Sequence, residues 1–110
     1  MEYRKLGTAG LKLSELSFGS WVTFNKQVDA GLAERMFGTC FDAGVNFFDN
    51  AEGYEAGGSE IVMGKALKSL ARPRDCYCVS SKVFFGATAD PLPTQRGLSR
   101  KHIFEACHQA

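Results

Sequence analysis

Apolar residues recur along this chain in two rhythms, one of two residues and one of three to four, and the switches between them mark its elements. Tyr3 to Leu6, Gly7-Thr8-Ala9-Gly10 and Leu11 to Leu13 form two short alternating runs about a glycine-flanked turn, which predicts a hairpin acting as a cap or lid. Leu16-Ser17-Phe18-Gly19-Ser20-Trp21 predicts a short strand. From Asp29 a helical period takes over, with Leu32, Met36, Cys40 and Ala43 on one stripe, Asp29 as N-cap and Gly44 closing the helix. Gly31 and Gly38 inside it each cost roughly 1 kcal/mol relative to alanine, so tertiary packing must hold this helix together.

Val45 to Asp49 is a compact run of the buried-strand type. After a glycine-rich loop, Ser59 is expected to cap a second helix running through Leu67 to Leu70, and Arg72-Pro73-Arg74-Asp75 breaks it. Cys76 to Lys82 predicts a third strand, a long loop carries Pro91 and Pro93, and Ser99 opens a final helix. The order is a hairpin and then three βα units, which predicts right-handed crossovers and a parallel sheet in an α/β fold. Three parallel strands alone leave unpaired edges and apolar faces. A complete (β/α)8 TIM barrel takes about 250 residues, so this density is that of a barrel cut short after its first three units. A small open α/β domain is the other reading.

The 110 residues are 45% hydrophobic and 23% charged, an ordinary globular composition, and the net charge of +1 is spread evenly. No basic footprint for nucleic acid is present, and no apolar run is long enough for membrane insertion. Met1-Glu2-Tyr3-Arg4-Lys5 does not open a secretory leader, so a cytoplasmic location is expected. Cys40, Cys76, Cys78 and Cys107 match no metal register and read as reduced structural thiols, Cys76 and Cys78 on one face of a strand. No metal site is expected. Gly57-Gly58 with Gly64-Lys65 has the wrong spacing for a phosphate loop, and Ala66 stands where serine or threonine is required.

In parallel α/β architectures, reactive side chains gather at the C-terminal ends of strands. Those ends offer Ser20 and Trp21, then Asp49 with Tyr54 behind it, then Lys82. A tyrosine serves as general acid toward a carbonyl only if its proton is made more available, because its ordinary pKa is near 10. The expectation is that the Lys82 ammonium lowers it and that Asp49 holds the lysine. Taken singly, each residue has an ordinary role: a strand-end cap, a loop aromatic, a solvated charge.

Phe48-Asp49-Asn50-Ala51-Glu52-Gly53-Tyr54, then Gly58-Ser59-Glu60 and Gly64-Lys65-Ala66-Leu67, resemble the signature of the aldo-keto reductases. The start of the chain, residues 44 to 49, and Ser81 to Gly86 are similar to the same family. Trp21-Val22-Thr23-Phe24 and Gly97 to Ile103 resemble the branch that includes voltage-gated potassium channel β-subunits. The resemblance implies residues 1–110 as a partial NADP-dependent oxidoreductase domain lacking the C-terminal part of the barrel. It implies Asp49, Tyr54 and Lys82 as catalytic residues with Tyr54 the proton donor, and Ser20, Trp21, Gln27 and Asp49 as contacts to NADP(H). Ser20 replaces the branch's usual threonine and keeps the hydroxyl. The fourth catalytic position, histidine or asparagine, is expected after a fourth strand; His102 and His108 read as surface or packing residues. The resemblance implies a reductase acting on small-molecule aldehydes or ketones. An NADP(H)-binding auxiliary subunit docked on a channel, a homo-oligomer, and a shortened product without activity stay open beside it, and the isolated chain is expected to be inactive.

Overall fold

The computed structural model describes residues 1–21 and 27–110. Strand β1 (Tyr3–Lys5) pairs antiparallel with β2 (Lys12–Ser14) as a hairpin. Strands β3 (Phe18–Gly19), β4 (Phe47–Asp49) and β5 (Cys78–Ser80) form a parallel sheet in that order. Helix α1 (Ala30–Asp42) connects β3 to β4, α2 (Gly58–Leu70) connects β4 to β5, and α3 (Arg100–Gln109) ends the chain. The mixed α/β order matches the alternation read from the sequence.

Asp29 caps α1 as its short side chain predicts, accepting the Leu32 amide at 2.8 Å. The buried face of α1 is centred on Ala33 and Phe37, however, with Leu32, Met36 and Cys40 as its partly buried flanks. Phe37 is fully buried and meets Phe48 edge-on at 4.8 Å and Phe18 at 5.4 Å, so the aromatic core lies between α1 and the middle strand. Val62, Met63, Ala66 and Leu67 of α2 close the same core.

Three expectations change. Gly57, at φ +88°, takes the N-cap position of α2, so Ser59 is not the cap: it lies inside the helix, fully buried, and its hydroxyl has no hydrogen-bond partner among the described residues. The third strand is shorter than Cys76–Lys82, because Arg74–Cys76 forms a 3-10 turn in which the Cys76 amide donates to the Pro73 carbonyl at 3.1 Å. Cys76 is therefore outside the sheet and does not share a strand face with Cys78. The hairpin is a floor and not a lid. Ser14 N–H donates to Asn46 Oδ1 at 2.8 Å and Asn46 Nδ2 to the Lys12 carbonyl at 3.1 Å, which docks the hairpin where β4 begins, at the opposite end from Asp49.

Candidate functional site

The register of the sheet builds the site. Gly19, Asp49 and Ser80 are level neighbours across β3, β4 and β5, so the last residues of three strands open on one rim. Side chains two apart on a strand share a face, and just past β5 Lys82 follows Ser80 toward Asp49. Ser80 Oγ donates to Asp49 Oδ1 at 2.6 Å. The Lys82 ammonium donates to both Asp49 carboxylate oxygens at 2.9 Å and to the Asn50 carbonyl at 2.5 Å. Those three acceptors match the three protons of an ammonium group.

Partial burial works against charge on both members of the pair, but it is outweighed. Hydrogen bonds from Lys82 and Ser80 and the attraction of the ammonium hold the Asp49 carboxyl below its ordinary range. The Asp49 carboxylate, helped by Tyr54, holds Lys82 above its ordinary value. The Lys82 and Asp49 side chains remain 53% and 35% exposed, so solvent screens the attraction.

Tyr54 opens a short 3-10 turn, Tyr54–Gly57, directly before α2. Lys82 Nζ lies 5.0 Å from the centre of its ring, and the Trp21 indole stacks beside the same ring at 6.1 Å with an interplanar angle of 23°. Asp49, Tyr54, Lys82 and Trp21 are thus brought together. Trp21, Tyr54 and Lys82 line a cavity of about 360 Å³ whose far wall is Phe84 and Phe85. Ser20 is fully buried behind this cavity, its amide and hydroxyl donating to the Asp49 carbonyl at 3.2 and 3.0 Å. It braces the end of β4. Gln27 is exposed in a turn and has no described contact with the Asp49–Tyr54–Lys82 group. Val22, Thr23 and Phe24 of the Trp21-led motif lie outside the described residues.

Three residues around the site were not singled out from the sequence. Ser80 was within reach of strand alternation, since it precedes Lys82 by two. Asn50 acts through its carbonyl, which no side-chain pattern reveals. Glu52 lies within the motif beside the residues that carry its chemistry; in the structure it is 3% exposed, and Oε1 accepts the amides of Phe84 and Gly86 at 2.6 and 2.8 Å with His102 Nε2 at 3.2 Å. His102 is accordingly a buried packing residue. Among the described residues no cluster of histidine, cysteine, aspartate or glutamate could hold a metal ion, and all four cysteines are free thiols. Among them no helix is long and apolar enough to cross a membrane.

The strands thus bring an acid, a phenol and an amine to one rim of a parallel α/β arrangement, and residues 15–110 match the aldo/keto reductase family, to which this chain belongs. Among curated proteins it is 50% identical over 105 residues to a "Probable voltage-gated potassium channel subunit beta" of Arabidopsis thaliana, covering 96% of this chain and 31% of that protein. It is 49% identical, with the same coverage, to a protein of the same name from Oryza sativa subsp. japonica. The chain spans about a third of the length of these relatives.

The nicotinamide nucleotide that the family implies is matched in part by these residues. Trp21, Phe84 and Phe85 present flat apolar faces suited to a planar ring, and Trp21 is 68% exposed. Lys82 is the one cation lining this cavity among the described residues, and Asp49 already neutralises it. Among the described residues, its lining offers no cation beyond the paired Lys82 for the nucleotide's phosphates.

Proposed function

We propose that this chain carries the proton-donor side of an NADP(H)-dependent carbonyl reductase, formed by the first three βα units of a (β/α)8 barrel, and that Tyr54 protonates the carbonyl oxygen. The observation that carries the reading is the Lys82 ammonium, gripped by both Asp49 oxygens while it lies against the Tyr54 ring. In this reading the fixed ammonium faces the ring whose hydroxyl delivers the proton to the carbonyl. Asp49 neutralises the lysine and fixes its position, Ser80 and Asn50 complete that hold, and Ser20 braces the strand end. Bound NADPH would supply the hydride. In this reading Trp21 with Phe84 and Phe85 offers the apolar surface that favours an apolar aldehyde or ketone.

In this reading the phosphate contacts, including those to the 2′-phosphate, and the fourth catalytic residue come from parts of the fold other than these 110 residues. The 110-residue chain alone is expected to turn over no substrate, since Asp49 and Lys82 are open to water in it. In the protein at the full length of its gene product, Lys82→Met should lower aldehyde turnover by roughly 10²-fold or more with cofactor affinity little changed. Retained turnover would remove Lys82 from the acid machinery. A second reading, an NADP(H)-binding subunit docked on a channel, rests on the names of the plant relatives. Co-purification with a channel alongside unmeasurable aldehyde turnover would favour it.

A further inference from the structure

The aromatic wall of the cavity has no strand or helix to hold it. Phe84 and Phe85 follow β5 in an irregular segment, and the two residues are 51% and 75% exposed, so side-chain packing does little to fix them. The fixing is done from the backbone, and it converges on one buried carboxylate. Glu52 N–H donates to the Lys82 carbonyl at 3.1 Å. Its Oε1 then accepts the Phe84 and Gly86 amides on either side of Phe85, at 2.6 and 2.8 Å. A single residue thus bonds every second position from Lys82 to Gly86, threading the segment past Tyr54, which lies two residues beyond Glu52.

The carboxylate is itself held from behind. His102 of α3 is 5% exposed, and its Nε2 lies 3.2 Å from the same Oε1. Burial disfavours the charge, yet the two amides and the imidazole outweigh it and keep Glu52 below the ordinary glutamate range, as an anion should be when donors converge on it. Surrounding geometry leaves the segment little slack. A Cβ on Gly53 would lie 3.4 Å from that of Phe85, and Gly97 N–H donates to the Phe84 carbonyl at 2.7 Å.

We propose that Glu52 is a positioning residue of this site: it sets the Phe84–Phe85 wall against which the apolar part of a carbonyl substrate rests, and it ties that wall to α3 through His102. The inference rests on the reductase reading for what the wall does, and on the hydrogen bonds alone for how it is held. A group acting through the wall should alter substrate capture more than the proton transfer at Tyr54.

The test uses the full-length protein and two variants, Glu52→Ala and Glu52→Gln, the second keeping an acceptor oxygen. In Glu52→Ala the amides of Phe84 and Gly86 should exchange with solvent faster by roughly tenfold or more while those of α1 and α2 keep their rates. KM for an apolar aldehyde should rise by roughly tenfold with kcat changed by less than about threefold, and Glu52→Gln should recover part of both effects. Unchanged exchange at Phe84 and Gly86 would overturn the proposal, as would faster exchange spread equally over α1 and α2, which marks a merely structural residue. Loss of kcat with KM unchanged would also overturn it. If Glu52→Ala does not fold, the same two readouts on Glu52→Gln decide, and wild-type values there would overturn it. Absence of aldehyde reduction by the wild-type protein would count against the reductase reading, and amide exchange would still decide whether Glu52 holds the segment.

Discussion

At the scale of single residues, the site depends on one ion pair whose members shift in opposite directions. Asp49 is depressed, so its contribution to stability is complete above its ordinary 3.8 and is lost as pH falls below that value. Lys82 is raised, so its contribution is complete below its ordinary 10.5 and is lost as pH rises beyond it. The stability gap between wild type and Lys82→Met in urea unfolding should therefore be level from about pH 5 to 9 and close as pH is lowered to about 3. It should also shrink in added salt, given the exposure of both side chains. A gap that widened in acid would contradict the pairing. Asp49, Tyr54 and Lys82 were legible in the sequence because strand ends and a motif mark them. Glu52 was not: a carboxylate within a motif looks the same whether it faces solvent or is buried under two amides.

At the scale of elements, the glycine after the aromatic wall has no substitute. Gly86 has φ +89°, and a Cβ there would meet the Gln95 carbonyl oxygen at 2.6 Å and Pro91 Cβ at 2.7 Å. Gly86→Ala combines left-handed strain with a collision against backbone, so it should cost at least about 2 kcal/mol, read as an earlier urea midpoint. An unchanged midpoint would mean that the 86–95 loop yields at no cost. Ser59 separates the sequence reading from the structure. A capping serine replaced by alanine would cost about 1 kcal/mol. The buried hydroxyl, with no partner among the described residues, predicts instead that Ser59→Ala is neutral or stabilising by up to about 2 kcal/mol. The same unfolding experiment reads both.

Element types and order followed from periodicity, while boundaries did not. Apolar runs extend past the strands because pairing, and not hydrophobicity, ends a ladder: β4 is only Phe47–Asp49, and β5 pairs with it from Cys78 to Ser80. The stripe on α1 is displaced by one position because the fully buried Phe37 ring takes the centre against Phe48.

At the scale of the whole molecule, stability and site share one core. Phe37→Ala would remove a fully buried ring touching both Phe18 and Phe48 and should cost about 3–5 kcal/mol, a large fraction of the roughly 5–15 kcal/mol typical of a folded domain. Thermal unfolding shifted by only a degree or two would show that the core is not where the ring contacts put it. Beyond the core, Val79 on β5 and Ile103 and Phe104 on α3 keep apolar surface exposed, in line with the apolar faces expected of three parallel strands.

The central claim is that Tyr54 gives its proton to a carbonyl oxygen. Hydride transfer from NADPH to an apolar aldehyde, followed in a single turnover of the full-length protein, tests it most directly when wild type is set against Tyr54→Phe. The account predicts a rate reduced by roughly 10²-fold or more with NADPH affinity unchanged. A Tyr54→Phe protein that transfers hydride at the wild-type rate would contradict it.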